Sequence, residues 1–256
     1  MELKKVKNRW VYLSNCLLCK KEIFIYKSKI DTSTKKCTKC FNVERNKNNK
    51  GKYKYELNKE FFKNKNIISA YWAGFIAADG YISKTNQVCI KIKETDIDRL
   101  KQFLKNAKCT HPVLNSGKED RKRIVITCHE WVKDLEEIYN IKNNKSLTLE
   151  PPNLIEEEHI KAFIIGYIDG DGTICFLGKH KYLKLGIVGT KSFLEWIQSY
   201  FNNWVDNTKA KKQISGTKSK DIFEYVVYGK RAKELILLLK ELDINKMERK
   251  WSKVQK

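Results

Sequence analysis

No stretch of this 256-residue chain approaches the roughly 20 apolar residues that a membrane span requires. Its start, MELKKVKNRW, is charged and lacks the apolar centre of a secretory signal. The chain is therefore expected to act where it is made, whether a cytoplasm, a phage-infected cell or an organelle, and not in a membrane. Acidic residues are also short. There are 30 Asp plus Glu against 52 Lys plus Arg, a net charge of +22. Such an imbalance points to a polyanionic partner, because many cations together displace the counterions condensed on phosphates. Arginine is scarce, with 45 of the 52 cations being Lys. A lysine-rich surface also solubilises a protein, so charge alone does not decide the matter. The excess is uneven: residues 1–66 carry a net +13 and residues 67–256 a net +9. With 41% hydrophobic residues, a core can still form.

The eight cysteines are not those of a disulfide scaffold, since the chain shows no export signal. Four of them form two CxxC knuckles, Cys16/Cys19 and Cys37/Cys40, separated by 17 residues. Four thiolates at that spacing suit tetrahedral Zn²⁺, whose binding would supply the folding energy that so short a segment lacks. Residues 1–41 are therefore expected to form a zinc-ribbon-like module, followed by a basic linker over 42–66. Cys89, Cys109, Cys128 and Cys175 have no ligand spacing, and the four histidines form no motif.

From Ile67 onward the pattern is globular and repeats. A helix over Ile67–Ala78, strands at Ile82, Val88–Lys93, Pro112–Leu114 and Arg121–Thr127, and helices over Ile97–Ala107 and Glu130–Tyr139 form the first copy. Helices at Ile160–Gly170, Ser192–Trp204 and Arg231–Leu242, with strands at Thr173–Leu177, Tyr182–Val188, Ala210–Ile214 and Ile222–Tyr228, form the second. Both read αββαββα, an α+β fold of two similar units over 67–152 and 153–256, related by a pseudo-twofold axis within one monomer.

Each repeat opens on the same pattern, YWAGFIAADG at 71–80 and FIIGYIDGDG at 163–172, placing Asp79 and Asp171 92 positions apart. Small residues four apart, Gly74 with Ala78 and Gly166 with Gly170, share a helix face and allow two backbones to approach closely. Side-by-side packing would bring Asp79 and Asp171 together at the helix C-termini. Two carboxylates forced together there favour a hard divalent cation, Mg²⁺ or Mn²⁺, which can activate water for phosphodiester hydrolysis.

WAGFIAADG and IIGYIDGDG resemble the nine-residue motif of the LAGLIDADG homing endonucleases in their single-chain, two-motif form, over about residues 60–256. The resemblance implies a DNA-binding saddle of two sheets, double-stranded DNA as partner, a metal-dependent double-strand break and intron homing. It makes Asp79 and Asp171 the metal ligands. The sixth motif position, Ala77 or Asp169, is assigned no catalytic role. Glu94, at the end of a strand, is a candidate for positioning water, with Gly189 at the matching place in the second half. Lys145 and Lys250 are candidates for stabilising charge on the phosphate, with Lys246 a competitor to Lys250. Strand-face residues Lys91, Lys93, Arg121, Arg123, Tyr182 and Lys184 are expected to contact bases or backbone. The alternatives are an intron-RNA maturase and a non-catalytic DNA-binding regulator on the same fold.

Overall fold

A computed structural model describes residues 2–6, 9–26, 35–49, 55–117, 120–178, 182–205, 214–217 and 221–254. It divides into two compact units, Met1–Lys54 and Tyr55–Lys256. His180, the expected strand residues 210–213 and the linker stretch 50–54 lie outside the described residues.

The first unit is an antiparallel sheet in the order β1(Glu2–Val6)–β2(Arg9–Asn15)–β3(Glu22–Tyr26), followed by α1(Thr38–Asn49). Its apolar centre is slight, with Val11, Cys16 and Ile25 buried. Helix α1 corrects the reading of residues 42–49 as linker.

The second unit holds the repeats, and it starts earlier than Ile67. Phe61 and Phe62 are buried against Phe103 and Trp131, and the Trp131 indole donates to Asn58 O at 2.8 Å. Residues 55–66 thus belong to the second unit, with Phe61 and Phe62 in its core, rather than to a linker. Two adjacent aromatics among lysines carry no periodicity, but they bury as much surface as a helical stripe.

Helix α2(Ile67–Asp79) begins at a capping box. The Asn66 side chain accepts from the amides of Ile68 and Ser69, and Ser69 Oγ accepts from the Asn66 amide. It is apolar almost all round and is buried from Ser69 to Ala78. After it come β4(Gly80–Ile82), β5(Gln87–Lys93), α3(Ile97–Asn106), the short β6(Leu114–Asn115), β7(Arg121–Thr127), α4(His129–Tyr139) and α5(Lys145–Thr148). The second repeat runs α6(Glu157–Asp171), β8(Thr173–Leu177), β9(Tyr182–Gly189), α7(Lys191–Trp204), β10(Ile214–Gly216), β11(Phe223–Tyr228), α8(Gly229–Glu241) and α9(Glu248–Trp251). Each repeat forms one antiparallel four-stranded sheet with equivalent strand order, β4-β5-β7-β6 and β8-β9-β11-β10. The amphipathic helices cover one sheet face, burying Ile90, Ile92, Ile124 and Ile126 in one half and Leu185, Ile187, Tyr225 and Val227 in the other.

The repeats meet along α2 and α6. A methyl group added at Gly74 would lie 1.9 Å from Phe163 O, and one at Gly166 would lie 1.9 Å from Tyr71 O. Tyr71 and Phe163 occupy the same motif position, so the two contacts are mates across the pseudo-twofold axis. Gly170 lies over Ala78, where an added Cβ would come within 2.3 Å of the alanine Cβ. Gly80 and Gly172 end the helices with ordinary extended backbone, φ −81° and −75°, not the left-handed turn usual for such glycines. They are required by crowding instead: a Cβ would fall 2.6 Å from Ile76 O or from Ile168 Cα.

The candidate cleavage centre and DNA-facing strands

Because α2 and α6 pack along their small-residue stripes, their last residues, Asp79 and Asp171, emerge together. Asp79 and Asp171 are exposed residues while Ala77, Ala78 and Asp169 behind them are buried, so the pair faces outward from a rigid base. Partial desolvation against the packed helix ends pushes the Asp79 carboxyl above its ordinary range, and the neighbouring Asp171 adds charge repulsion in the same direction. Lys250 and Lys145 oppose this without cancelling it. Hard oxygen donors, mutual repulsion and solvent access together fit a divalent cation held between Asp79 and Asp171.

Helix α2 ends without a left-handed cap, which leaves terminal carbonyls seeking donors. Lys145 supplies them, its Nζ donating to Ala77 O and Ala78 O at 2.7 Å each. Lys250 does the same for α6, donating to the carbonyls of Ile168, Asp169, Gly170 and Gly172 at 2.8–2.9 Å. Burial lowers both ammonium groups to about 8, although Asp171 and Asp79 pull Lys145 upward and Asp169, followed by Asp79 and Asp171, pulls Lys250 upward. The two lysines thus stand at equivalent places on either side of the aspartate pair. Lys246 points elsewhere, to carbonyls at the end of α8 that include Lys240 O at 3.2 Å.

Glu94 is not hydrogen-bonded to this cluster. It forms an ion pair with Lys122 at 2.8 Å and is more than half exposed. At Gly189, its counterpart, an added Cβ would be 3.2 Å from the Tyr167 hydroxyl. That hydroxyl donates to Val188 O at 2.8 Å. Tyr167 lines a cavity of about 90 Å³ together with Ala78, Lys145, Asp171, Gly189 and Thr190. Sequence reasoning did not single out Tyr167. The available signal was a tyrosine where the first motif has Phe75.

The exposed sheet faces are unlike in charge. In the first half, Lys91 opposes Arg123 and Lys93 opposes Arg121, and all four are exposed. Like charges directly across a strand pair repel, an arrangement relieved when an anion covers it. In the second half, Tyr182 is 61% exposed. Lys184 is instead tied to Glu224 at 2.7 Å, which raises its affinity for the proton.

In the first unit, the four Sγ atoms of Cys16, Cys19, Cys37 and Cys40 lie within 4.8 Å of one another. Tetrahedral zinc with Zn–S bonds of about 2.3 Å needs sulfurs about 3.8 Å apart, so the cluster is of a size to close on zinc. Amides of Cys19 and Cys37 aimed at the Cys16 sulfur lower its thiol to about 6, while neighbouring sulfurs push Cys40 up to about 12. Four thiolates cannot all form there without a cation to neutralise them.

No protein-family model and no curated protein sequence matches the chain. Among solved structures, the LAGLIDADG meganuclease I-CpaMI bound to uncleaved DNA superposes with a TM-score of 0.50 at 13% identity, covering 72% of this chain and 87% of the other. The meganuclease I-AabMI, also bound to uncleaved DNA, gives 0.44 at 16% identity, over 72% of this chain and 86% of its own. The homing endonuclease I-LtrWI bound to its target gives 0.45 at 12% identity, over 77% and 88%. No helix among the described residues is long and apolar enough to cross a membrane. The paired αββαββα repeats joined at Gly74 and Gly166 therefore have the fold of the LAGLIDADG homing endonucleases.

Proposed function

We propose that this protein is a site-specific DNA endonuclease that hydrolyses both strands of a duplex at the Asp79–Asp171 centre. The convergence of two exposed carboxylates and two buried lysines at the joint of the repeats carries this reading. Asp79 and Asp171 would hold Mg²⁺ or Mn²⁺, which when bound supplies a polarised water and neutralises charge on the scissile phosphate. Lys145 and Lys250 keep positive charge beside the phosphates, held in place by the helix carbonyls, and so favour the more highly charged transition state. The basic strand face of the first half would position the duplex, and Tyr182 would contact it in the second. The test is incubation of the full chain with a randomised duplex library and Mg²⁺. Recurrent double-strand cuts at one sequence support the reading, and an intact library under Mg²⁺ and Mn²⁺ sinks it.

Arg123 is the strand-face residue best placed to read a base, because arginine pairs bidentately with guanine. Arg123→Ala is expected to cost about 1–3 kcal/mol of binding and to relax preference at one base pair, checked by competition with single-base target variants. Lys91→Ala should instead weaken binding on all sequences and reduce the salt dependence by about one phosphate's worth.

The cysteine module is proposed to hold structural zinc and to extend the DNA footprint. A strong chelator is expected to release one zinc per chain and to unmask fast amide exchange over 9–26, because metal binding is its main source of folding energy. Exchange in that segment that ignores the chelator would remove zinc from this role.

A further inference from the structure

We propose that Asp169 is a positioning residue that anchors the segment around Lys250 beside the aspartate pair, through donors drawn from both repeats. The inference rests on the nuclease reading only in assigning a use to Lys250. Asp169 is 1% exposed, and its carboxylate is hydrogen-bonded to neutral donors while Lys250 nearby adds favourable charge. Its Oδ2 accepts from Tyr71 Oη at 2.7 Å and from the Met247 amide at 2.9 Å, and its Oδ1 accepts from Trp251 Nε1 at 2.6 Å. Burying a carboxylate among neutral donors is costly, and three hydrogen bonds offset that cost. The first motif has no such group, since Ala77 stands in its place.

The position of the donors explains the difference. Met247 and Trp251 bracket Lys250, so tying both to one rigid helix fixes the ammonium between them. Tyr71 belongs to the other repeat, and its hydroxyl also receives Arg99 Nη1 at 3.3 Å. The same Arg99 donates to Asn245 O at 2.7 Å and to Asn245 Oδ1 at 2.6 Å. Asp96 then accepts from Arg249 at 3.0 and 3.1 Å. Contacts from the first repeat therefore hold the lysine-bearing segment of the second at Asn245 and at Arg249, just before Lys250. Lys145 has lighter support. It reaches two carbonyls where Lys250 reaches four, and among the described residues the nearest cross-repeat bond to its segment is from Thr190 Oγ1 to Leu149 O. The two lysines thus depend on different scaffolds, and loss of Asp169 should disturb one of them alone.

Strand-resolved cleavage of an end-labelled target by Asp169→Asn tests this. We expect one strand to be cut about tenfold or more slowly, as displacement of a charged group by a fraction of an ångström implies, with the other strand within about twofold. Adding Asp169→Asn to Lys250→Met should change nothing further, whereas adding it to Lys145→Met should give the full extra loss. Equal slowing of both strands, or an undiminished extra loss in the Lys250→Met background, would overturn the proposal. Hydrogen exchange supplies a readout that needs no cleavage. Amides of 245–254 should exchange faster in Asp169→Asn, and more mildly in Tyr71→Phe, while α2 and α6 keep their protection. Unchanged exchange over 245–254 refutes the anchor. A wild-type protein that cuts no DNA but shows the exchange effect refutes the nuclease reading and upholds the anchor.

Discussion

Asp79→Asn and Asp171→Asn are each expected to slow cleavage by about a thousandfold or more while leaving DNA binding nearly intact, because they remove charge from the cation site and nothing from the strand faces. The substitution is isosteric, and both side chains are exposed, so folding should survive. Stability should in fact rise slightly when divalent ions are absent. Partial desolvation and the neighbouring Asp171 already push the Asp79 carboxyl up, so removing either charge relieves a repulsion in the free protein. The paired measurement is cleavage rate with Mg²⁺ and thermal midpoint with a chelator. Activity lost together with a lowered midpoint would mean that the aspartates support the fold rather than a cation. Substantial cleavage by either variant would move the centre away from this pair.

The second large effect concerns stability. Gly166→Ala is expected to destabilise the second unit by about 3 kcal/mol or more, lowering the thermal midpoint by about 6–12 °C. The added methyl would lie 1.9 Å from Tyr71 O, and its obstacle is backbone of a buried helix that cannot swing aside. Gly74→Ala meets Phe163 O at the same 1.9 Å and should behave alike. Gly216→Ala is the control: nothing lies within 4 Å of its added Cβ, so its midpoint should stay close to that of the wild type. Because α2 and α6 also carry the aspartates, the glycine variants should lose cleavage beyond their loss of folded protein. Separation of the helices by even an ångström changes the distance between carboxylates. If Gly166→Ala melts with the wild type, the packing of α2 on α6 is not as close as described.

Much of this was legible in the chain itself. Two copies of a motif with small residues four apart require close helix packing, and that alone brings Asp79 and Asp171 to one place. The alternation in VCIKIK and RKRIVIT separates Ile90, Ile92, Ile124 and Ile126 from the outward Lys91, Lys93, Arg121 and Arg123, as the burial of the strands bears out. Four cysteines in two knuckles likewise declare a cluster, because local spacing sets local geometry. These features share a physical origin: each depends on neighbours within a few residues, or on a pattern repeated twice.

What tertiary structure decided involves partners far apart in sequence. Nothing in the run 55–66 shows that Phe61 and Phe62 belong to the core, because their partners, Phe103 and Trp131, lie some 40 to 70 residues on. Lys184 has the period of an outward strand cation, but Glu224 across β9 and β11 neutralises it. The reason for Gly80 and Gly172 is crowding by the preceding helix turn, not handedness. Above all, Asp169 reads in the sequence as an extra acid in a motif. Only the fold brings Tyr71, Met247 and Trp251 to it, converting a buried charge into the fixed point from which Lys250 is aimed.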